Sequence, residues 1–395
     1  MNMPSVQESL RNDIDSLRSD DGYLNAGLPN FKGLFGRDSA ISGWQLLDFD
    51  KDIAKNTLIS LAKLQGKKFK EANREEPGKI IHEYYPPHTD EKWFSRYKGK
   101  VHWLHIGVPV YFSVDSTPLF IILYLEYYKR FGDEKFAKKL LPNAEAAANW
   151  IANHGIVDGL LRYYKCNRRD DGLLSQSWKD GLGNSIEEIP DPVGIVEVQG
   201  YAYYALRNFA TAAEDLHKSY DSSSLIESAK VLKKNLKRMW IGRERFYALG
   251  IDGDGKRIER ITSNPGHLLF TGILDREEAR DVVKRLLKPD LITGYGIRTQ
   301  STLSGDFDEL SYQRGSVWPH DNWMIALGMK SLGYDKEYAL IRKHVLRAYK
   351  ELNGTPEYYG VSKENRLIPM SNLKVKPCNP QAWTAGAIFS FISRV

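Results

Sequence analysis

The feature that most limits what this chain can fold into is an alternation between two kinds of helical segment. Apolar spacing at i, i+4, i+7 and i+8, with capping residues and stop signals, predicts twelve helices. They start near Val6, Asp38, Lys51, Ser116, Asp133, Val196, Ser222, Pro265, Arg276, Pro319, Asp335 and Pro380. In the third, Ala54, Leu58, Leu61 and Ala62 form one apolar face and Gly66 follows as a stop. The fourth opens on Asp115-Ser116-Thr117-Pro118, read as a capping residue with an early proline, and ends before Gly132.

Several odd-numbered segments are charged along one face, as in SLIESAKVLKKNLKRMW, DREEARDVVKRLLK and DKEYALIRKHVLRAYKEL, and read as surface helices. The even-numbered ones carry little charge. Most of these are headed by dense Gly, Trp, His, Asn, Asp or Gln runs: FGRDSAISGWQ, DSTPLF, VEVQGYAYYAL, SNPGHLLF, SVWPHDNWMIAL and CNPQAWTAGAIF. An outer helix alternating with an inner one six times describes a toroid of six helical hairpins, with the polar heads of the inner helices converging on one end. The expected class is therefore all-α, an (α/α)6 barrel. Two short β-hairpin insertions are expected as well, Arg245 to Ile261 around Asp252-Gly253-Asp254-Gly255 and Leu160 to Leu174 around Asp170-Asp171-Gly172. No Pro/Gly/Ser-rich linker divides the chain, so residues 1–395 are expected to form a single domain.

Composition excludes several classes of function. Lysine and arginine total 56 against 50 acidic residues, interleaved along the chain, which argues against a nucleic-acid partner. The longest apolar stretch, Pro118 to Tyr128, contains Glu126 and falls short of the roughly 20 residues that cross a bilayer. The polar, acidic N-terminus lacks a signal pattern, and the two distant cysteines, Cys166 and Cys378, form no disulfide framework. An intracellular, cytoplasmic location with no membrane partner is the expectation. With 22 Tyr, 9 Trp and 15 Phe, the chain has enough flat faces with polar tips to build a sugar pocket, although a large core uses the same residues.

Two carboxylates stand out, each in a loop leading into an inner helix beside aromatic and glycine residues. They are Asp180 in Gln176-Ser177-Trp178-Lys179-Asp180-Gly181 and Glu357 in Gly354-Thr355-Pro356-Glu357-Tyr358-Tyr359-Gly360. They precede the sixth and twelfth helices, so a closed toroid sets both at the same end, across the central opening. Glycosidic cleavage needs such a pair, one acid to protonate the leaving oxygen and one carboxylate to activate water or attack carbon, about 6.5–9.5 Å apart where a water must fit between them. Two ordinary helix-capping or salt-bridged acids would look the same in sequence. His82, Glu83, His88, His102 and His105 lie close together, but His102 and His105 flank apolar Trp103-Leu104, so no metal or other cofactor is expected.

Taken in order, FGRDSAISGWQ, EEPGKIIHEY, QSWKDGLGNSI, VEVQGYAYYAL, SNPGHLLFTGIL, GYGIRT, SYQRGSVWPHDN, GTPEYYG and CNPQAWTAGA resemble the catalytic domain of amylo-α-1,6-glucosidase, the glycogen-debranching type of six-hairpin glycosidase, from about Phe35 to Ala387. The resemblance implies inversion at the anomeric carbon, with Asp180 as general acid and Glu357 as general base. It also implies that Arg37 and Asp38 hold the hydroxyls of the terminal ring and that Trp178 and Trp318 wall it. Trp44, His82, Glu83, Gln199, His320, Asp321 and Asn322 complete the expected sugar-side set. The sequence departs from the family pattern at Gly181, Asn184-Ser185, Gln313-Arg314 and Tyr358, which puts the aglycone side in question. The leading expectation is an α-glucosidase acting on short α-glucosides. A glucosylglycerate, mannosylglycerate or trehalase-like hydrolase is the alternative, with Arg314 or Lys179 as the basic group an anionic aglycone would require. A non-catalytic carbohydrate-binding protein is the reading outside enzymes. The partner is a small carbohydrate, and the sequence is silent on oligomeric state.

Overall fold

The computed structural model describes residues 3–166, 171–182 and 188–393. Among these the helices are α1 (Met3–Leu17), α2 (Gly36–Gln45), α3 (Lys51–Lys63), α4 (Glu91–Lys98), α5 (Ser116–Phe131), α6 (Glu134–Trp150), α7 (Val196–Leu216), α8 (Ser223–Leu236), α9 (Arg276–Leu286), α10 (Pro319–Ser331), α11 (Asp335–Leu352) and α12 (Ala382–Ser393). Aspartates start several outer members. Asp50 accepts from the Asp52 amide, Asp133 accepts from the Phe136 amide, and Asp275 forms a reciprocal capping box with Glu278.

The chain is helix-rich, and its inner members meet in cyclic order. Helix α2 packs on α5, α5 on α7, α7 on a 3₁₀ turn at Asn264–Leu268, that turn on α10, α10 on α12, and α12 back on α2. Outside them, α1 lies on α12, α3 on α2 and α5, α6 on α5 and α7, α8 on α7, α9 on the 3₁₀ turn, and α11 on α10 and α12. The two kinds of helix read from the sequence differ in burial as expected. All ten residues of α2 are buried, whereas α11 buries only Ile341, Val345 and Ala348. One apolar cluster extends from Leu10 to Phe391.

Three expectations need correction. The eighth helix, read as starting at Pro265, is only the five-residue 3₁₀ turn. The Thr271 hydroxyl donates to the Leu268 carbonyl at 2.7 Å, and Gly272 then takes φ +73°, so the backbone leaves the helical path. Helix α4, capped by Asp90, is an addition the periodicity did not reveal. Leu160–Leu161 pairs backwards with Ile156–Val157 across Asp158-Gly159, while residues 167–170 of the expected 160–174 hairpin lie outside the described residues. The other hairpin is as expected, Gly250–Ile251 pairing with Arg257–Ile258, and a second pairing joins Trp240–Ile241 to Phe246–Tyr247. Among the described residues no helix is long and apolar enough to cross a membrane.

Ring closure at the short member depends on close approach. A Cβ at Gly328 of α10 would lie 2.4 Å from Leu269 Cβ and 2.7 Å from the Phe270 amide nitrogen. Gly328→Ala is expected to destabilise the fold by about 1–3 kcal/mol, because overpacking outweighs the gain in helix propensity. Gly242→Ala, where nothing lies within 4 Å, is the control. Urea midpoints for the two variants check this; equal midpoints would show that the contact yields freely.

Candidate active site

The N-terminal ends of α2, α10 and α12 and the loops carrying Asp180 and Glu357 meet at one cavity of about 380 Å³. Leu34–Phe35 pairs antiparallel with Glu83–Tyr84, which sets His82 and Glu83 beside the first turn of α2, where Arg37 and Asp38 sit. Val317 bridges Tyr359, and Trp318 therefore stacks on Tyr358 at 5.3 Å with Glu357 next in the chain. The cavity is lined by Arg37, Asp38, His82, Glu83, Trp178, Asp180, Trp318 and Glu357, so eight of the expected site residues share one space.

Arg37 is the electrostatic centre. Its guanidinium is buried, and Nε donates to Asp115 Oδ2 at 2.9 Å while Nη1 donates to Asp180 Oδ2 at 3.1 Å. Its Nη2 has no partner among the described residues, which leaves a buried donor for a ligand hydroxyl. Asp115 was read as a helix cap, but its side chain caps nothing. It accepts from Arg37 and from the Ser113 hydroxyl instead. A buried guanidinium is tolerated only when paired, and Asp115 supplies that pairing.

The three carboxyls facing the cavity are all displaced upward. Burial raises Asp180 to about 6 against the opposing pull of Arg37, although its side chain keeps 27% of its exposure at the opening. Burial raises Glu357 to about 7, opposed by hydrogen bonds from the Tyr312 hydroxyl and, at 3.3 Å, from the Cys378 amide. Burial raises Asp38 to about 8, with Arg37 opposing and the charges of Asp180 and Glu357 adding. Asp38 thus keeps its proton at neutral pH, whereas Asp180 is largely ionised there.

The loop at 311–316 joins the two carboxylate loops. Tyr312 holds Glu357, and Gln313 accepts from the Gly181 amide at 2.7 Å while donating to the Trp178 carbonyl at 2.8 Å. Gly181 has a packing reason, since a Cβ there would stand 2.5 Å from Tyr312 Cδ1. Asn184 and Ser185 lie outside the described residues.

Five expected sugar-side residues are not in the cavity lining. Trp44 packs edge-on against Trp323 and Phe270 in the core. Gln199 clamps backbone, donating to the Leu161 and Ile195 carbonyls and accepting from the Leu161 amide. Asp321 is paired with His267 at 2.8 Å, behind Trp178. His320, kept neutral by burial, stacks on Trp383 at 3.7 Å and supports the floor from below. Asn322, also expected in the pocket, bonds Ile297 and the Trp318 carbonyl. Neither basic candidate reaches the cavity: Lys179 donates to Ser263 and Thr299, and Arg314 faces Asp308 at 3.6 Å.

Residues the sequence reading missed also line the space: Tyr312, Trp383, Phe31, Lys98 and Lys376. Tyr312 and Trp383 stood in motifs already singled out. Lys98 sits in a charged stretch that reads as solvated surface, yet it is buried against Phe31 and paired with Glu83 at 3.0 Å. Of the histidine-rich stretch, only His82 and Glu83 line the cavity, and among the described residues no group of three or more His, Cys, Asp or Glu is placed to hold a metal ion.

Two carboxylates and stacked aromatics thus share one cavity. The chain belongs to the mannosylglycerate hydrolase MGH1-like glycoside hydrolase domain family, whose model matches residues 38–364. Among curated relatives, it is 28% identical over 127 residues to a mannosylglycerate hydrolase from Rubrobacter radiotolerans and 32% identical over 91 residues to mannosylglycerate hydrolase MGH1 from Selaginella moellendorffii. Those segments are 31% and 23% of this chain, and they span only 28% and 18% of the relatives. The fold is that of the GH63 mannosylglycerate hydrolase from Thermus thermophilus. With Tris and D-glycerate bound, that structure aligns at a TM-score of 0.74 and 17% identity over 99% of this chain and 100% of that one; with glucose bound, the values are 0.71, 16%, 98% and 100%. The motif resemblance to amylo-α-1,6-glucosidase therefore holds for the six-hairpin glycosidase type, and the family itself is the mannosylglycerate hydrolase-like one.

Carboxyls held above their usual range stabilise the fold at low pH and lose that contribution as pH rises through the folded value. Asp38→Asn, which cannot ionise, is expected to raise Tm by a few degrees at pH 8, with the gain shrinking to nothing near pH 4. Thermal unfolding across that range checks it; a gain independent of pH would show that Asp38 is ionised throughout.

Proposed function

We propose that this chain is an inverting glycoside hydrolase of (α/α)6 architecture, acting on an α-glycoside of a small hydroxy acid such as mannosylglycerate or glucosylglycerate. The observation that carries the reading is the pair Asp180 and Glu357 lining one cavity, each with its own hydrogen-bonding partner. Asp180 protonates the glycosidic oxygen as the C–O bond breaks. Glu357 removes a proton from a water that attacks the anomeric carbon from the opposite face, so an α-glycoside releases a β-anomer. Arg37 and Asp38 bond the hydroxyls of the terminal ring, and Trp178, Trp318 and Trp383 give it aromatic walls.

Family membership supports the hydroxy-acid aglycone, as does D-glycerate in the Thermus thermophilus structure. So does one group in the lining: Lys98 is committed to Glu83, but the exposed Lys376 offers an ammonium where an aglycone carboxylate would lie.

The test is a panel of mannosylglycerate, glucosylglycerate and neutral α-linked disaccharides, with the anomer released followed by NMR. Turnover of the glycerates in preference to the neutral sugars supports the proposal; preference for neutral α-glucosides returns the reading to an α-glucosidase, and net retention removes the inverting assignment. Asp180→Asn is expected to abolish turnover while sparing sugar binding, since it removes the proton and keeps the shape. Lys376→Ala is expected to raise KM for the carboxylated substrate about tenfold, the order of one charge-assisted hydrogen bond, and to leave neutral substrates unaffected. Equal changes for both would place the aglycone elsewhere.

A further inference from the structure

A second cavity, of about 160 Å³, lies behind the loop that carries Asp180 and shares none of the first cavity's lining residues. Three full cations line it: Arg74, Lys79 and Arg162. Among the described residues Glu76 is the one carboxylate in its lining. Both of that carboxylate's oxygens are engaged, Oε1 by Lys79 at 3.1 Å and Oε2 by the Trp150 indole at 2.8 Å. The arginine at the back is firmly seated. Arg162 is 2% exposed in its side chain, its Nη1 donates to the Pro192 and Asp252 carbonyls, and its Nη2 reaches Asp158. Its Nε is buried and has no partner among the described residues. Lys79 is 6% exposed in its side chain, and burial pulls its ammonium below the usual lysine range, with Arg74 pulling the same way.

A buried donor without an acceptor and an excess of buried positive charge both cost free energy, and one small anion offsets both. We propose that this cavity is a binding site for a small oxyanion of the phosphate class, held by Arg162, Lys79 and Arg74. The volume admits a phosphate group, three cationic side chains line it, and it is too small for a disaccharide. Gln176 forms one wall, where its side chain donates to the Tyr164 carbonyl and its own carbonyl accepts from the Val114 amide. An occupant therefore bears on the segment that continues through Trp178 to Asp180.

The full chain would be titrated with inorganic phosphate, sulfate and glycerol 3-phosphate by calorimetry, and its Tm followed in each against chloride of equal ionic strength. A ligand that binds only the native state raises Tm with its concentration, whereas screening alone acts equally in chloride. The expected result is saturable binding of inorganic phosphate that persists in the presence of D-glycerate, a probe for the first cavity. Affinity should fall at least tenfold in Arg74→Gln and in Lys79→Met. Arg74 is only half-buried, so Arg74→Gln carries the test alone if Lys79→Met fails to fold. Binding of glycerol 3-phosphate as well as phosphate assigns the site to phosphomonoesters; binding of the inorganic ions alone assigns it to free oxyanions. No saturable binding, displacement by D-glycerate, or unchanged affinity in Arg74→Gln would overturn the proposal. None of these outcomes depends on glycosidase activity.

Discussion

The buried guanidinium of Arg37 is the constraint on which the site is built. An unpaired charge at that depth would be prohibitive, so the chain must bring Asp115, from the start of α5, and Asp180, from the loop ahead of α7, to opposite sides of it. These are three separate parts of the ring, and their convergence is possible only because the N-terminal ends of the inner helices share one end. The same pairing explains why Asp115 is not a helix cap: its carboxylate is committed to Arg37 and Ser113. With two of its donors fixed, Arg37 has a set orientation, and its remaining Nη2 offers a ligand hydroxyl a donor that needs no rearrangement.

Tyr312 and Gln313 add a second tie, and it bears on protons rather than on shape. One residue holds Glu357 and the next holds the backbone of Trp178 and Gly181, so the spacing of the two carboxylates is referred to a single dipeptide. Burial alone would push both carboxyls up together. The different partners oppose it differently: a neutral phenol and an amide at Glu357, a full positive charge at Asp180. Asp180 is thus held by a charge, and Glu357 by neutral donors.

How much of this was legible in the sequence depended on the range of the signal. Alternation of charged and charge-poor helices is a local pattern, and it gave the inner and outer members, the convergence of their heads and the meeting of Asp180 with Glu357 in one cavity. The eighth helix failed because Thr271 and Gly272 redirect the backbone within a stretch whose apolar spacing still looks helical. Trp44, Gln199, His320 and Asp321 were misplaced for a common reason. Polar and aromatic residues near an inner helix head can either line the opening or support it, and only three-dimensional neighbours such as Trp383 on His320 or His267 on Asp321 decide which. Lys98 illustrates the reverse error. Its surroundings in sequence are charged, but α4 folds over Phe31 and Phe35 and buries it there.

Floor and rim of the cavity are consequently different materials. The floor is a set of interlocked rings, with Trp178 edge-on to His320, His320 stacked on Trp383, and Trp318 stacked on Tyr358. None can shift without moving a neighbour, so the floor is rigid. Much of the rim is made by irregular segments, including Val101, Leu104, Leu173, Val375 and Lys376, whose backbone is not locked into the helical ring. Substitution there changes the charge and reach of the opening without disturbing the carboxylates. The charge and reach of the opening can therefore vary independently of the packed rings beneath it.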